Sequence, residues 1–374
     1  MTSVIRKDDG DLKRLLVIIM VSAVIFMCWS CTSKTEQPAV NTSSDSKPWP
    51  TKSWSTSTPK EQGINSADLS KSDKYIKDNY PSVCSLLVVR HGYLVYEKYY
   101  NGRNADSALP VYSVTKSIMS ALTGIAMQQK LIKSIEQPVS ELVPNYFKDI
   151  DDQNKKNITI KQVLTMTGGL ESIDNNYNEF HSAKDWLSQT LKMPLIDEPG
   201  TKFVYNTGLI QFLSNIITKT SGMDTWKYAD KYLFSKIGIN PTSWDRDSQG
   251  YYCGGSGLVL TARDMAKFGY LYLNDGQWDG KQIIPKDWVE ESTKKQLYAY
   301  DGFDYGYLFW VQTAHDSTKN VDYLTYRADG YGGQKIIVVP QLDLVAVVTA
   351  SPDANTKDDD MQNIVFNYVI PAVK

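Results

Sequence analysis

Residues 113–130 read SVTKSIMSALTGIAMQQK and contain the clearest structural pattern in the sequence. Its apolar side chains stand at positions 118, 119, 121, 122 and 125–127, so a helix formed here is apolar on almost every face. A helix with that pattern is buried in the middle of a protein. The stretch therefore predicts a central helix with the other elements packed around it.

The start of this helix carries Ser113 and Lys116, and residues three apart share a helix face. A serine hydroxyl is a poor nucleophile unless a base lies within hydrogen-bond reach. Burial lowers the pKa of a lysine, which leaves a neutral amine able to take the serine proton. The helix N-terminus offers N–H groups to a developing oxyanion. The alternative, a serine cap followed by a surface lysine, fits an all-apolar helix poorly.

Strand-like runs lie on both sides of this helix in the chain. Residues 85–90 and 93–99 flank His91-Gly92 as a β-hairpin, and residues 335–339 and 344–349 form a second one. The pattern between residues 131 and 250 is helical and loop-rich. We therefore predict an α+β fold, with an antiparallel sheet flanked by helices built from residues 61–130 and 251–374. A mostly helical lobe of residues 131–250 is inserted, and the cleft between the lobes is the expected site.

The N-terminal region has the features of a targeting segment. An apolar run of residues 15–29 follows Lys13 and Arg14 and is shorter than the roughly 20 residues of a membrane span. Residues 1–30 therefore indicate a signal peptide, and Ser30-Cys31 resembles the lipobox of bacterial lipoproteins, with a lipid on Cys31. A short uncleaved anchor is the alternative. Both predict an extracytoplasmic protein, membrane-anchored or secreted, with a Ser/Thr/Pro-rich tether over residues 31–60 and a folded domain over 61–374.

Composition excludes several classes of protein. The 374 residues include 40 basic and 42 acidic side chains, so the basic excess of a nucleic-acid binder is missing. Cys84 and Cys253 match no zinc spacing, and we expect no metal or cofactor; a disulfide between them stays open. His91 is a predicted turn residue, while His181 and His315 lie in polar, loop-like stretches. Without a G-x-S-x-G elbow, a Ser-His-Asp triad is disfavoured.

Five blocks resemble, in the same order, the serine β-lactamase-related hydrolases of class C type. This family includes esterases, D-amino-acid peptidases and aminohexanoate-oligomer hydrolases. The blocks are VYSVTKSIMSALTGIA (111–126), VLTMTGGL (163–170), PGTKFVYNTG (199–208), GGSGLVLTARDMAKFG (254–269) and GYGGQKIIVVPQLDLVAVVT (330–349). The resemblance covers about residues 58–370. It implies a β-lactamase/transpeptidase-like fold and hydrolysis of an ester or amide through an acyl-enzyme on Ser113, without a cofactor.

The family's Y-x-N motif corresponds to Tyr205-Asn206-Thr207. The resemblance implies that Tyr205 shares proton transfer with Lys116, as a phenolate whose pKa is lowered by the lysine. Thr207 replaces the usual asparagine and is expected to hydrogen-bond Lys116. Asn206 is the alternative source of the amide.

The family's K-T-G motif, which precedes a cleft-lining strand, corresponds to Gly330-Tyr331-Gly332. The lysine is absent, so its positive charge for a substrate carboxylate is expected to be missing; Arg327 lies three residues earlier, with its direction undetermined. Tyr331 is a predicted substrate contact, and the Gly333 N–H is a predicted oxyanion donor beside that of Ser113. A glycine-rich bulge is the alternative interpretation.

The sequence therefore predicts a serine hydrolase that acts on a small-molecule ester or amide. The alternatives are a penicillin-recognising D-amino-acid carboxypeptidase or β-lactamase, and a non-catalytic sensor of the same fold. The physiological substrate and the oligomeric state stay open.

Overall fold

The computed structural model describes residues 47–300, 302–351 and 360–374. The predicted signal peptide, Cys31 and residues 31–46 of the predicted tether lie outside the described residues.

The described elements alternate between strands and mostly short helices. The strands are β1 Val83–Arg90, β2 Tyr93–Tyr99, β3 Ala108–Pro110, β4 Ser243–Trp244, β5 Leu258–Thr261, β6 Gln277–Trp278, β7 Lys281–Gln282, β8 Leu297–Tyr300, β9 Phe303–Tyr305, β10 Trp310–Asp316, β11 Val321–Gly330, β12 Gln334–Val339 and β13 Leu344–Ala350. The α-helices are α1 Ser66–Asn79, α2 Val114–Gln128, α3 Val139–Leu142, α4 Gln153–Lys156, α5 Ile160–Leu164, α6 Tyr177–Ser182, α7 Trp186–Lys192, α8 Gln211–Ser221, α9 Thr225–Ala229, α10 Ser235–Ile237, α11 Ala262–Leu273, α12 Lys286–Thr293 and α13 Gln362–Ile364. Single 3₁₀ or π turns cover Pro144–Phe147, Ile173–Asn176, Thr207–Ile210, Asp230–Phe234, Pro340–Leu342 and Val365–Val369.

Eight strands form one antiparallel sheet in the order β2-β1-β13-β12-β11-β10-β9-β8. The central strand β13 is buried along its whole length, because its alternating side chains enter two different cores. Val345 and Val347 face the core that contains α2 and α11, whereas Ala346 and Val348 face the core of α1 and the C-terminal helices. Helices therefore cover both faces of the central strands, and the predicted α+β class with an antiparallel sheet is confirmed.

The first hairpin has a two-residue turn that follows from its sequence. His91 and Gly92 both have positive φ, 51° and 83°. A turn with positive φ at both positions matches the twist of the flanking strands, and glycine accepts this conformation at no steric cost. His91 is thus a turn residue, as predicted.

The predicted central helix is α2, whose residues 114–126 are all buried. Its close packing depends on Gly124, where an added Cβ would collide with the Trp288 indole of α12. Residues 131–250 form α3–α10 and only the two-residue strand β4, in agreement with a mostly helical insertion.

The folded part begins earlier than the predicted boundary at residue 61. Trp49 packs against Tyr270 and Trp278 with ring centroids 5.4 Å away in each case, and the Trp278 indole donates to Thr51 Oγ1 at 2.7 Å. Residues 47–60 are therefore part of the folded domain and not a tether. The many Ser, Thr and Pro residues predicted a tether, but the tryptophans among them pack against the domain.

Two histidines differ from the sequence-based expectations, and the structure answers the open question about two cysteines. His181 lies on α6 and His315 on β10 instead of in loops, since both elements are short and polar on one side. Cys84 and Cys253 are buried free thiols, which excludes the disulfide that the sequence left open. Among the described helices, none has the length and apolar content that crossing a bilayer requires.

Candidate active site

A sharp turn presents Ser113 at the start of α2. Tyr112 has a φ of 47°, a left-handed conformation that non-glycine residues adopt rarely, and Ser113 is the residue that caps the helix. Thr115 Oγ1 donates to the Tyr112 carbonyl at 2.6 Å and fixes the turn. The Ser113 hydroxyl faces the main cavity while its backbone N–H lies at the helix N-terminus.

The Lys116 amine touches the Ser113 hydroxyl. Lys116 is 2% exposed, and its Nζ lies 2.7 Å from Ser113 Oγ, 3.0 Å from Thr207 Oγ1 and 2.8 Å from the Gly255 carbonyl oxygen. A neutral amine has two N–H donors and one lone pair, so it can donate to Gly255 and Thr207 while it accepts the Ser113 proton. The predicted pair of nucleophile and base is therefore in hydrogen-bond contact.

The surroundings of Lys116 favour the neutral amine. Burial lowers the pKa of Lys116 to about 8, while Asp174 and Cys253 act in the opposite direction through their charges. The shift from an ordinary value of 10.5 brings the amine into the range where a general base works near neutral pH.

Tyr205 lies beside this pair, in surroundings that favour the phenol over the expected phenolate. Its ring centroid is 4.9 Å from Lys116 Nζ, and the ring stacks on Trp310 at 6.0 Å. Burial raises the pKa of Tyr205 above its usual value, although a hydrogen bond with Ser113 partly offsets this. Burial therefore disfavours the expected phenolate, and the charges of Asp174 and Asp329 act in the same direction. A protonated Tyr205 fits the role of a general acid.

The two residues after Tyr205 have separate tasks. Thr207 contacts Lys116 as predicted, and its backbone N–H donates to Asp174 Oδ2 at 2.8 Å. Asn206 is fully buried, and its amide binds the Glu171 carbonyl at 3.0 Å and the Gly208 N–H at 3.0 Å. Asn206 is thus a structural cap whose amide is engaged by the backbone, not a substrate contact.

The cavity in front of Ser113 has a volume of about 540 Å³. Ser113 and Tyr205 lie in its wall, together with aromatic, charged and glycine residues. These are Tyr300, Phe303, Trp310, Arg327, Asp329, Gly330, Tyr331 and Lys335. Tyr331 therefore reaches the cavity, as predicted, and its ring contacts Tyr112 at 5.5 Å.

The glycine-rich turn connects two strands that both line the cavity, β11 before it and β12 after it. Gly330 is the last residue of β11, and an added Cβ there would collide with the Val111 carbonyl just before the nucleophile turn. Gly333 instead lies under Met361, with which its Cβ would collide. The pairing of β11 with β10 ends at Arg327, while its pairing with β12 continues to Gly330. This free edge of β11 is better situated than Gly333 to supply an oxyanion donor.

The cavity wall contains charges that the sequence had not located. Asp329 Oδ2 lies 2.7 Å from Arg327 Nε and 3.4 Å from Lys335 Nζ. Burial raises the pKa of Asp329, but Arg327 and Lys335 outweigh it and hold the pKa below its usual value. Gly330 lacks the motif's lysine, as expected, but Arg327, whose direction the sequence left open, lies in the cavity wall with Lys335. Charged residues inside the otherwise apolar strands 326–339 are the signal that sequence reasoning missed.

The described residues place neither a metal cluster nor a histidine beside Ser113. In residues 47–300, 302–351 and 360–374, no three His, Cys, Asp or Glu side chains gather as a metal site would require. His181 lies 3.8 Å from Asp245, and His315 lies 2.7 Å from Asp322. Both histidines are exposed, and neither lines the cavity of Ser113.

Comparison with known proteins agrees with this geometry. The beta-lactamase family profile matches residues 80–365. The 6-aminohexanoate-dimer hydrolase of Paenarthrobacter ureafaciens is 24% identical over 297 residues, which are 73% of this chain and 74% of that protein.

Two solved structures share the fold at low sequence identity. EstCE1, a hydrolase with promiscuous acyltransferase activity, has a TM-score of 0.68 and 15% identity, over 83% of this chain and 99% of its own. The octameric penicillin-binding protein homologue from Pyrococcus abyssi has a TM-score of 0.62 and 16% identity, over 81% of this chain and 76% of its own. Because the family profile spans most of the chain, this protein belongs to the beta-lactamase family of serine hydrolases.

Proposed function

We propose that this enzyme hydrolyses a small carboxylic ester or amide through an acyl-enzyme on Ser113, with Lys116 as general base and Tyr205 as general acid. The observation that carries the proposal is the 2.7 Å contact between Ser113 Oγ and a buried lysine whose pKa is about 8. An activated nucleophile needs this combination of contact and neutral amine.

The acylation step follows from the positions of the three side chains. Neutral Lys116 takes the Ser113 proton as Oγ bonds to the substrate carbonyl carbon, and the carbonyl electrons move onto its oxygen. The Ser113 N–H and the free edge of β11 stabilise this oxyanion. When the oxyanion collapses, the bond to the leaving group breaks and Tyr205 gives that group its proton. The Lys116 ammonium, 4.9 Å from the Tyr205 ring, then restores the tyrosine proton.

Deacylation uses the same groups in reverse. Water attacks the acyl carbon and loses a proton to the Lys116–Tyr205 pair, and Ser113 leaves with a proton from it. No cofactor takes part in either step. The relatives support this reaction class, since one is named a 6-aminohexanoate-dimer hydrolase and another has acyltransferase activity.

Two alternatives predict different behaviour of the same cavity. A penicillin-recognising carboxypeptidase or β-lactamase would turn over a β-lactam faster than a neutral ester, and the penicillin-binding protein homologue keeps this alternative open. A non-catalytic sensor would bind without turnover. The contact between Ser113 and Lys116 argues against a sensor, because a buried lysine is costly unless it serves a task.

A covalent serine probe tests the assignment directly. We expect a fluorophosphonate to label wild type once, at Ser113, and Ser113→Ala to abolish both labelling and p-nitrophenyl butyrate hydrolysis while the circular dichroism spectrum is retained. Ser70→Ala is the matched control, since Ser70 lies exposed on α1 and only donates to the Ala67 carbonyl. Labelling of another serine in Ser113→Ala, or no labelling of wild type, would overturn the proposal.

We further propose that the protein is an extracytoplasmic lipoprotein attached through Cys31. The apolar run at residues 15–29, the Ser30-Cys31 junction and the polar stretch that follows support this. Mass spectrometry of the membrane fraction should find a lipid on Cys31 in wild type and none in Cys31→Ala. An unmodified Cys31 in membrane-bound wild type would contradict the proposal and favour the uncleaved anchor.

A further inference from the structure

Three charged side chains on two adjacent strands share one wall of the cavity. Arg327 and Asp329 are on β11 and Lys335 is on β12, directly opposite Asp329 in the register. Asp329 Oδ2 contacts both cations, at 2.7 Å from Arg327 and 3.4 Å from Lys335. One carboxylate oxygen therefore forms ion pairs with two positive charges.

Both cations line the cavity, but their contacts leave them almost completely buried. Arg327 also donates to Gln312 Oε1 at 2.8 Å, and its guanidinium lies 4.7 Å from the Phe303 ring centroid. The exposed fractions of the side chains are 3% for Arg327, 6% for Lys335 and 17% for Asp329. Asp329 is therefore the most exposed of the three side chains, and the three groups together carry one positive charge.

The rest of the wall is suited to an uncharged group. Four aromatic residues, Tyr300, Phe303, Trp310 and Tyr331, surround the space in front of Ser113. Aromatic faces favour apolar or positively charged groups and offer nothing to a carboxylate.

We propose that the cavity selects uncharged ester or amide substrates, and that Asp329 is the specificity residue that keeps anionic ones out by covering Arg327 and Lys335. This inference rests on the proposed hydrolysis at Ser113. An anionic substrate must either approach the Asp329 carboxylate or compete with it for two buried cations, and both are unfavourable. The selection acts through charge, so it is separable from the chemistry.

Removal of the Asp329 charge should reverse this selection. Asp329 Oδ1 accepts no hydrogen bond from any residue in the described ranges, so the amide NH₂ of Asp329→Asn would displace no existing donor at that position. The remaining amide oxygen can still accept from Arg327. The variant leaves two cations at the wall without a compensating carboxylate, and an anionic substrate then gains an attractive partner.

The experiment compares one anionic and one neutral ester with the same leaving group on the same preparation. The substrates are mono-p-nitrophenyl glutarate and p-nitrophenyl butyrate, and nitrocefin serves as a second anionic probe. We expect Asp329→Asn to raise the ratio of kcat/KM for glutarate over butyrate by about tenfold, the scale of one charge-assisted contact. Lys335→Gln should lower that ratio, because it leaves Asp329 with one cation only.

The experiment distinguishes a failure of this inference from a failure of the proposed function. Asp304→Asn makes the same chemical change on β9, where Asp304 pairs with Lys295 at 2.8 Å, and should leave the ratio unchanged. A ratio that stays within about twofold of wild type in both Asp329→Asn and Lys335→Gln would overturn the inference. If butyrate hydrolysis does not depend on Ser113, the proposed function itself fails. If Asp329→Asn does not fold, the direction of the Lys335→Gln change decides.

Discussion

Replacing Asp174 with asparagine should change the pH at which Lys116 becomes a base. Asp174 Oδ2 accepts from the Thr207 N–H at 2.8 Å, and Thr207 Oγ1 lies 3.0 Å from Lys116 Nζ. The carboxylate charge favours the ammonium form of Lys116 and opposes the effect of burial. Asparagine keeps an oxygen for the Thr207 N–H but loses the charge. The pKa of Lys116 should therefore fall below about 8 in this variant.

The size of the shift follows from the geometry. Two hydrogen bonds and one threonine separate the charges, and Asp174 is exposed to solvent, so a distance of roughly 7 Å and an effective dielectric constant of about 35 give about 1.4 kcal/mol. At about 1.4 kcal/mol per pKa unit, the expected shift is about one unit. The neutral fraction of Lys116 at pH 7 would then rise from about one tenth to about one half.

The assay is the pH profile of kcat/KM for p-nitrophenyl butyrate between pH 5.5 and about 9, where the acid limb reports the base of the free enzyme. We expect this limb to move about one unit to lower pH, with a several-fold gain at pH 7. Cys253 also faces Lys116 and acts in the same direction as Asp174, but it is unchanged in the variant.

The matched control is Asp224→Asn, which alters the cap of α9, where Asp224 accepts from the Lys227 N–H at 2.8 Å. Its acid limb should coincide with that of wild type. If Asp174→Asn lowers kcat/KM equally at every pH and leaves the limb in place, Asp174 only supports Thr207 and the electrostatic argument is refuted.

Three other perturbations test the site and its supporting core. Tyr205→Phe and Lys116→Ala should each lower ester kcat/KM by at least about a hundredfold, with the double variant little worse than the worse single one; a Tyr205→Phe activity within a few-fold of wild type would leave Tyr205 a packing residue. Gly124→Ala should destabilise the fold by roughly 1–3 kcal/mol, because overpacking against Trp288 exceeds the gain of about 1 kcal/mol in helix propensity, and a raised Tm would contradict this. Between pH 7 and pH 9.5, the free energy of unfolding of wild type should rise by about 2 kcal/mol relative to that of Lys116→Met. Over this range folded Lys116, with a pKa of about 8, loses its proton, while the unfolded side chain, with a pKa near 10.5, retains it. Unfolding free energies that change in parallel with pH in the two proteins would argue against the lowered pKa.

Features that depend on a local pattern could be predicted from the amino-acid sequence alone. The apolar composition of residues 113–130 predicted a buried helix, and the i, i+3 spacing brought Ser113 and Lys116 together, because helix geometry fixes which residues share a face. The strand-turn-strand pattern around His91-Gly92 likewise predicted the first hairpin with its turn. These elements are defined by neighbours along the chain, and no distant contact could change them.

Properties that arise between segments far apart in the chain could be recognised only once the fold had brought those segments together. Asp174 joins the site because it binds Thr207 from a separate turn, and no spacing in the sequence links the two. The direction of the pKa shift of Tyr205 depends on how far packing excludes water from its hydroxyl, which a motif does not record. The pairing of Arg327, Asp329 and Lys335 needed the register between β11 and β12, since a strand pattern does not say which charges face each other across a hairpin. The local sequence was therefore enough to predict the nucleophile and its base, whereas the charges that adjust their pKa values come from segments far apart in the chain.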